Sequence, residues 1–348
     1  MASELKSRYR GYLANAFMFV VTLALIAGAV ELYVRLVEDD GMQFDLEMWK
    51  YAKSVKMVSS DQLLGHEHRP NADAFLMGVR VTTNSAGFRD EEIAIEKRPG
   101  STRIMMLGDS VLFGWGARQD ETVSARLKKT WRRAGRDVDV INTGVGNYNT
   151  IMEVEFFLTR GYRFKPDIVV LNYFINDAEP IPRYDYSWIE RVSAAWVFYG
   201  SRLDVVQREL RVGHQKDWRT YYRDLYDDAG NRGGWEGAAT SIRKLAAYCR
   251  DNGIKLLIVN YPELRVLKPY PFPEVQHRLA ALAAGLGVPY LDLLDSLREQ
   301  DPASLWVTPP DPHPNGHAHA LFAKAIGEWM EREKLLGGEN QAIRLAPR

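Results

Sequence analysis

Five short apolar segments recur along the second part of the chain, and they restrict its fold more than any other feature of the sequence. They lie at residues 104–107, 138–141, 168–171, 256–259 and 288–293. Most are continuous rather than alternating, as is typical of strands buried on both faces of a parallel sheet. Helical patterns fill the intervals, near residues 121–134, 150–161, 235–252 and 273–286, and a final one covers about 316–331. Strands that alternate with helices predict a three-layer α/β fold.

A second feature is the segment 11–30, which contains no charged side chain. Twenty residues at 1.5 Å each span about 30 Å, the thickness of the hydrocarbon core of a bilayer. Basic residues precede this segment at Lys6, Arg8 and Arg10. The positive-inside rule therefore predicts a cytoplasmic N-terminus and an extracytoplasmic remainder, on the cytoplasmic (inner) membrane of the cell. A cleaved signal peptide is the alternative, because small residues at 27–29 form a cleavage pattern. We favour an uncleaved anchor, since the apolar pattern continues beyond residue 30.

The charge balance and the cysteine content exclude several classes of function. The chain has 45 basic and 45 acidic residues, so its formal net charge is zero. A nucleic-acid-binding protein needs an excess of basic residues to neutralise phosphates, and we therefore expect no nucleic-acid partner. Cys249 is the single cysteine. An intramolecular disulfide and a cysteine-based zinc site are thereby excluded.

The domain organisation follows from these patterns. We predict a cytoplasmic tail and anchor at 1–38, a connecting segment with a small β element at 39–100, a catalytic domain at 101–335 and a C-terminal tail at 336–348. The β element is expected over 74–82, where the sequence reads as a strand or hairpin. Residues 178–234 are rich in Tyr, Trp and Arg and interrupt the alternation as an insertion. This insertion begins at the carboxyl end of a predicted strand, where α/β sheets bind ligands. It is therefore interpreted either as a cap over the active site or as a helical decoration that packs on the domain.

Three polar motifs follow the ends of predicted strands. They are Gly108-Asp109-Ser110, the segment Asn142-Thr143-Gly144-Val145-Gly146-Asn147, and Ile175-Asn176-Asp177. Each motif alone has the composition of an ordinary turn or helix cap. Because the carboxyl ends of parallel strands meet at one edge of a sheet, the three motifs are expected to lie together.

A fourth motif, Asp311-Pro312-His313-Pro314, precedes the last helix. Asp311 and His313 both stand before prolines, which favour extended backbone at the preceding residue. In extended chain, residues i and i+2 point to the same side, so the carboxylate lies beside the imidazole. A carboxylate that orients one nitrogen of the ring leaves the other nitrogen free to act as a base. Asn315 is expected to cap the final helix and to hold this pair in place.

Together the four motifs resemble those of the SGNH/GDSL hydrolase family, over about residues 101–333. The resemblance implies a three-layer flavodoxin-like parallel sheet, here with an N-terminal transmembrane helix. The segment Asn84-Ser85-Ala86-Gly87-Phe88-Arg89 is also similar to one found in membrane-anchored members. Three features depart from the family pattern, and the first is that Asn147 rather than Gly aligns with the oxyanion position of the second block. Phe174 stands where the third block has Gly, and one residue rather than two separates Asp311 from His313, a spacing that members acting on exported polysaccharides also use.

The resemblance implies roles for individual residues. Ser110 is the expected nucleophile, His313 its base, and Asp311 the residue that orients His313. The oxyanion hole would consist of the N–H of Ser110, the N–H of Asn147 or Gly146, and the side chain of Asn176. The alignment leaves open whether Gly146 or Asn147 provides the N–H. Asp109 and Asp177 are expected to hold the loops, and no metal or organic cofactor is expected.

Three hypotheses about function remain at this stage. The first is a serine esterase that removes small acyl groups, above all acetyl, from an extracytoplasmic glycan or a related molecule. The second is an O-acyltransferase of exported polysaccharide with the same serine, which implies a membrane partner that supplies acyl groups. The third is a non-catalytic glycan-binding or assembly protein. The complete set of Ser, His, Asp and Asn favours an enzyme, and Trp188, Trp196 and Tyr199 of the insertion are candidates for stacking on a sugar ring.

Overall fold

The computed structural model describes residues 2–182, 187–212, 217–227 and 234–336 of the 348-residue chain, with side chains except at 2–7 and 204–212. The chain divides into two compact units. One comprises Met1–Trp49 and Asp185–Gln215, and the other comprises Lys50–Tyr184 and Lys216–Arg348. The second unit contains the parallel sheet and all four polar motifs.

The helices and strands have the following bounds. The helices are α1 (Ala2–Tyr33), α2 (Phe44–Ser54), α3 (Ser110–Phe113), α4 (Val123–Arg133), α5 (Thr150–Thr159), α6 (Trp188–Val192), α7 (Ala194–Val212), α8 (Trp218–Leu225), α9 (Gly234–Asp251), α10 (Pro273–Leu286) and α11 (Gly316–Arg332). The strands are β1 (Lys56–Val58), β2 (His66–His68), β3 (Asp73–Leu76), β4 (Val79–Thr82), β5 (Thr102–Leu107), β6 (Val138–Asn142), β7 (Ile168–Tyr173), β8 (Lys255–Asn260), β9 (Tyr290–Asp292), β10 (Trp306–Thr308) and β11 (Asp311–Pro314).

The central sheet has five parallel strands in the order β6-β5-β7-β8-β9. In chain order this is the arrangement 2-1-3-4-5 of flavodoxin-like folds, which confirms the predicted fold class. All five apolar segments of the sequence are strands of this sheet. The last is shorter than predicted, because the chain still turns out of α10 at Gly287, whose φ is +66°.

Helices pack on both faces of this sheet. On β5, Ile104 and Met106 belong to one core cluster together with residues of α4 and α11. Met105 and Leu107 belong to the opposite cluster, with residues of α5, α9 and α10. Successive side chains of a strand point to opposite faces of the sheet. The alternate residues of β5 therefore contact the two helical layers, one on each face.

The segment before the sheet is more structured than the sequence indicated. The predicted element over 74–82 is the antiparallel hairpin of β3 and β4. Helix α2 and the hairpin of β1 and β2 were not predicted. Strands of three residues are too short for periodicity to reveal them.

The predicted extended segment at Asp311–Pro314 is β11, which pairs with β10, and Asn315 caps α11 by accepting from the N–H groups of His317 and Ala318.

The first unit contains the N-terminal helix. Among the described residues, one helical segment, Arg8–Glu38, is long and apolar enough to cross a membrane, and none of its most apolar window is buried. A membrane anchor and a signal sequence both fit this observation. Parts of the predicted insertion, at 183–186, 213–216 and 228–233, lie outside the described residues, as does the predicted tail from residue 337. An active-site cap formed by 178–234 therefore stays a prediction.

Candidate active site

The nucleophile motif forms the turn from β5 into α3. Asp109 caps the helix by accepting from the N–H of Val111 at 2.8 Å. A Cβ atom at Gly108 would lie 2.6 Å from the Cβ of Leu112, so the tight turn requires glycine there. Ser110 is the first residue of α3, and its N–H consequently has no acceptor within the helix.

Ser110, His313 and Asp311 form a continuous chain of hydrogen bonds. The Ser110 Oγ lies 2.9 Å from His313 Nε2, and His313 Nδ1 lies 2.5 Å from Asp311 Oδ1. The other carboxylate oxygen, Oδ2, accepts from the indole N–H of Trp115 at 2.9 Å. A carboxylate accepts only, so the ring proton lies on Nδ1 and Nε2 accepts from the serine hydroxyl.

The charge of Asp311 depends on the groups around it. Burial alone would raise its pKa, but hydrogen bonds from the ring and backbone of His313 and from Trp115 outweigh burial and lower the pKa below 3.8. Asp311 is therefore ionised at neutral pH. Trp115 had no role in the sequence analysis, because only the folded chain brings it beside Asp311.

The second motif forms a loop after β6, and its N–H groups are not equivalent. The Gly146 N–H donates to the Tyr51 hydroxyl at 2.9 Å. No acceptor in the described part of the chain receives the N–H of Asn147, which is exposed and has a φ of +67°. Asparagine tolerates this left-handed conformation better than most residues. The geometry thus leaves Asn147 as the available backbone donor of this loop.

A relay of buried side chains supports the loop from the upstream segment. Burial, together with the positive charge of Lys56, lowers the pKa of His68 to about 3, so its ring is neutral. The ring Nδ1 donates to the Gly87 carbonyl at 3.2 Å, which leaves Nε2 to accept from Tyr51 Oη at 2.6 Å. Lys56 Nζ donates to the Asn147 side chain at 2.8 Å. The relay joins the predicted oxyanion loop to the turn at 84–89.

That same turn also supports the nucleophile helix. The buried guanidinium of Arg89 donates to the carbonyls of Phe113, Gly114 and Ala117, at 3.0, 2.5 and 2.7 Å. These carbonyls lie at and just beyond the C-terminus of α3, where a cation is favourable. The likeness of 84–89 to membrane-anchored family members gave the only sequence signal for this contact, and no motif pointed to Tyr51 or His68.

We expect Tyr51→Phe to lower kcat by about tenfold with little change in KM. The substitution keeps the ring beside Phe113 and Trp115 but removes the acceptor of the Gly146 N–H, a bond of about 1 kcal/mol. Steady-state kinetics on a p-nitrophenyl ester would measure the effect. Tyr162→Phe is the matched control, because Tyr162 is an exposed tyrosine on the short helical turn after α5. A change in KM alone would contradict a supporting role for Tyr51.

The third motif forms a helical turn after β7. The side chain of Asn176 lies close enough to the carboxylate of Asp109 to oppose the rise of its pKa, and the amide has N–H groups to offer. Asp177 accepts from the N–H of Phe174 at 2.9 Å and so closes the turn. The structure therefore brings Asn176 to the nucleophile motif, and Asp109 and Asp177 hold loops as expected.

Three buried carboxyl groups lie behind the site. Burial raises the pKa of Asp109, Asp177 and Glu153, and for Asp177 and Glu153 the other acids of the cluster raise it further. The pKa values of Glu153 and Asp177 lie well above the usual range. From the raised pKa values we infer that Glu153 and Asp177 share a proton, because two neighbouring buried carboxylates would repel each other.

We expect Glu153→Gln to stabilise the folded chain, by an amount that grows with pH. The folded-state pKa of Glu153 is above its usual 4.5, so the folded chain loses stability as the pH rises beyond about 4.5. Glutamine is close in shape to the protonated acid and removes this loss. Thermal unfolding at pH 5 and pH 8 should show a gain of about 2–4 °C that is largest at pH 8. Glu155→Gln on the same helix is the control, and a loss of stability at pH 8 in Glu153→Gln would contradict the shared proton.

Two further histidines lie near the fourth motif in sequence. His317 is exposed and His319 is fully buried on α11. Within the described ranges, no three His, Cys, Asp or Glu side chains are grouped so that they could hold a metal ion.

Comparison with known proteins places this site in context. Residues 106–321 match the model of a GDSL-like lipase/acylhydrolase family. Among solved structures, a lipase/acylhydrolase from Enterococcus faecalis is 16% identical, with a TM-score of 0.41 over 67% of this chain and 96% of that one. A GDSL-like lipase from Bacteroides thetaiotaomicron is 13% identical, with a TM-score of 0.40 over 69% and 93%. A two-domain esterase active on acetylated mannans is 15% identical, with a TM-score of 0.41 over 71% and 53%. No curated protein matches the chain.

Proposed function

We propose, from the premise that the chain belongs to the GDSL-like lipase/acylhydrolase family, that Ser110, His313 and Asp311 are its catalytic residues. By that membership the protein is a serine hydrolase of ester bonds. The observation that carries the assignment is the unbroken hydrogen-bond chain from Ser110 Oγ through His313 to Asp311.

The proposed reaction has two steps. His313 Nε2 takes the hydroxyl proton while Ser110 Oγ attacks the ester carbonyl, and it then gives this proton to the departing alcohol. The ionised Asp311 stabilises the imidazolium in between. The oxyanion accepts from the N–H groups of Ser110 and Asn147 and from the Asn176 side chain. In the second step His313 deprotonates a water molecule, which attacks the acyl-Ser110, and His313 then returns this proton to the departing Ser110 Oγ as the acid is released.

We expect Asn176→Ala to lower kcat by about 10²- to 10³-fold, or about 3–4 kcal/mol, with little change in KM. The amide stabilises a charge that exists only in the transition state, so ground-state binding is hardly affected. Steady-state kinetics would measure both constants, and thermal unfolding would report whether the lost contact with Asp109 weakens the fold. A loss confined to KM would reassign Asn176 to substrate binding.

For the substrate, we propose short acyl esters, acetyl above all, on an extracytoplasmic glycan. The side chains of His313 and Asp109 lie 2.9 and 3.4 Å from the Ser110 hydroxyl, and this polar surrounding suits a small acyl group on a hydroxylated molecule. Tyr221 supports the same proposal. Its ring is 44% exposed and its hydroxyl donates to Glu179 at 2.8 Å, an amphipathic combination suited to a sugar.

A panel of p-nitrophenyl esters from acetate to laurate, tested on the full chain in detergent, would examine this proposal. The acetyl ester should give the highest kcat/KM, and acetate should be released from an acetylated polysaccharide. Preference for laurate would contradict the short acyl group. Transfer of acetyl to an added sugar acceptor, rather than to water, would reassign the enzyme as an O-acyltransferase and imply a membrane partner that supplies acyl groups.

For the location, we propose that α1 anchors the enzyme in the cytoplasmic membrane with the catalytic unit outside. The uncharged run at 11–30 and its basic N-terminal flank support this orientation. A phosphatase fused after Arg348 should be active, and a fluorescent protein that folds only in the cytoplasm should be dark. The reverse result would place the catalytic unit in the cytoplasm and remove the extracytoplasmic substrate.

A further inference from the structure

An apolar surface lies on the two helices α6 and α7 of the insertion. Its side chains are Trp188, Val192, Trp196, Tyr199 and Leu203, which are 76, 55, 51, 39 and 57% exposed. We call this set the aromatic face. Exposed clusters of large apolar side chains mark sites of interaction.

The aromatic face is one side of an amphipathic arrangement. On α7, residues 196, 199 and 203 follow the spacing i, i+3, i+7 and therefore share one side of the helix. Ala194 and Phe198 lie on the opposite side and pack with Val34 and Leu46 in a small buried cluster. The aromatic face is consequently not the side that holds this unit together.

The start of α7 is fastened to the end of α1 by Glu31. The carboxylate accepts from Ser193 Oγ at 2.7 Å and from the N–H groups of Ala194 and Ala195 at 2.9 and 3.0 Å. Arg35, one turn further along the chain, donates to the Val192 carbonyl at 3.0 Å. A carboxylate that accepts from the first N–H groups of a helix is a strong cap, so these contacts define the position of α7 relative to α1.

The position of Glu31 in the sequence gives the depth of this junction. Glu31 is the first charged residue after the uncharged run at 11–30. If the run fills the hydrocarbon core, Glu31 lies at its boundary with the headgroups. Val192 and Ser193 contact Arg35 and Glu31 and are therefore near that level, and Trp196 follows Ser193 by three residues, on α7. Trp and Tyr are the residues that prefer this boundary, because their rings are apolar and each has one polar group.

We propose that the aromatic face lies in the interfacial layer of the bilayer that α1 crosses, with Trp188 and Trp196 among the lipid headgroups. This goes beyond the catalytic assignment and rests only on the membrane anchor proposed above. It also assigns Trp188, Trp196 and Tyr199 to lipid, in place of the sugar stacking that the sequence indicated. The catalytic unit is then tied to the membrane by a helix that crosses it and by a second helix that lies on it.

The test uses the full chain in vesicles of phosphatidylcholine and phosphatidylglycerol, with spin labels on single cysteines. Cys249→Ala removes the native thiol, and the labelled variants are Trp188→Cys, Trp196→Cys, Phe19→Cys and Val58→Cys. Each label is exposed to oxygen, which concentrates in lipid, and to a polar nickel complex, which stays in water. Phe19 reports on the anchor, and Val58, 83% exposed in the other unit, is the matched control.

We expect the ratio of oxygen to nickel relaxation at 188 and 196 to lie between the high ratio at 19, in the hydrocarbon core, and the low ratio at 58, in water. Nickel access at 188 and 196 equal to that at 58 would overturn the proposal and leave the face to a soluble ligand. Protection from both reagents would overturn it as well, in favour of a protein partner such as a second copy. The label at 19 separates the proposal of the membrane anchor from that of the aromatic face. Strong oxygen access at 19 together with nickel access at 196 would retain the anchor and refute the interfacial position of the aromatic face.

Discussion

Ser110→Ala and His313→Ala are each expected to lower kcat for a p-nitrophenyl ester by about 10⁴- to 10⁶-fold. The first removes the proposed nucleophile and the second removes the proposed base, which lies 2.9 Å from it. Because the residues act as one unit, the double variant should be about as inactive as either single one. Both side chains are only partly buried, so we expect the fold to survive.

The controls separate chemistry from folding. His317→Ala, in the first turn of α11, changes an exposed histidine near His313 in sequence and should keep near-normal activity. Thermal unfolding should show that all variants fold. A fluorophosphonate, which reacts with activated serines, should label the wild type but neither Ser110→Ala nor His313→Ala. Near-normal turnover in either folded variant would rule out the proposed serine mechanism.

Asp311→Asn is expected to lower kcat by about 10⁴-fold, the loss seen when the same substitution is made in a serine protease triad. The buried side chain keeps its shape, but an amide in that position favours the wrong tautomer of His313. The imidazolium also loses its compensating charge. Activity within tenfold of the wild type would show that Asp311 does not orient the base.

Trp115→Phe perturbs Asp311 less than Asp311→Asn does, because it leaves the carboxyl group in place. It removes one donor to Asp311, and this donor is among the groups that lower the pKa of the carboxyl. The pKa should therefore rise, and the ionised form that orients His313 should be lost at a higher pH. In a profile of kcat against pH, the acid limb should therefore lie at higher pH for Trp115→Phe than for the wild type. An unmoved limb, with kcat lowered equally at all pH values, would indicate that Trp115 only packs.

The local rules of the sequence were sufficient for the central sheet of the catalytic unit, but not for the hairpin of β1 and β2 that precedes it. Buried parallel strands read as short continuous apolar runs, and all five runs are strands of the sheet. The Pro-flanked segment is an extended strand, and Asn315 caps the next helix. These features depend on residues within a few positions of each other. Backbone preference and periodicity are therefore enough to predict them.

The hydrophobic run at 11–30 likewise predicted the long N-terminal helix. The side of the membrane on which the following unit lies was inferred only from the positive-inside rule. The role of the Trp- and Tyr-rich insertion was not predictable from composition. Aromatic residues suit a sugar, a core or a lipid boundary equally well. The proposal of a lipid boundary rests on the contacts of Glu31 with residues 193–195, which join positions more than 160 residues apart.

The sequence, through its periodicity and the family resemblance of its motifs, therefore determined the fold class, the four polar motifs and the convergence of the three strand-end motifs at one edge of the sheet. Only the tertiary structure decided which groups support them. Tyr51 takes the Gly146 N–H, Arg89 binds the carbonyls at the end of the nucleophile helix, and Trp115 holds Asp311. Each contact joins a buried donor to an acceptor that lies at least 24 residues away in the sequence. Buried polar groups must find partners, but the sequence does not state which partner the packing brings within 3 Å.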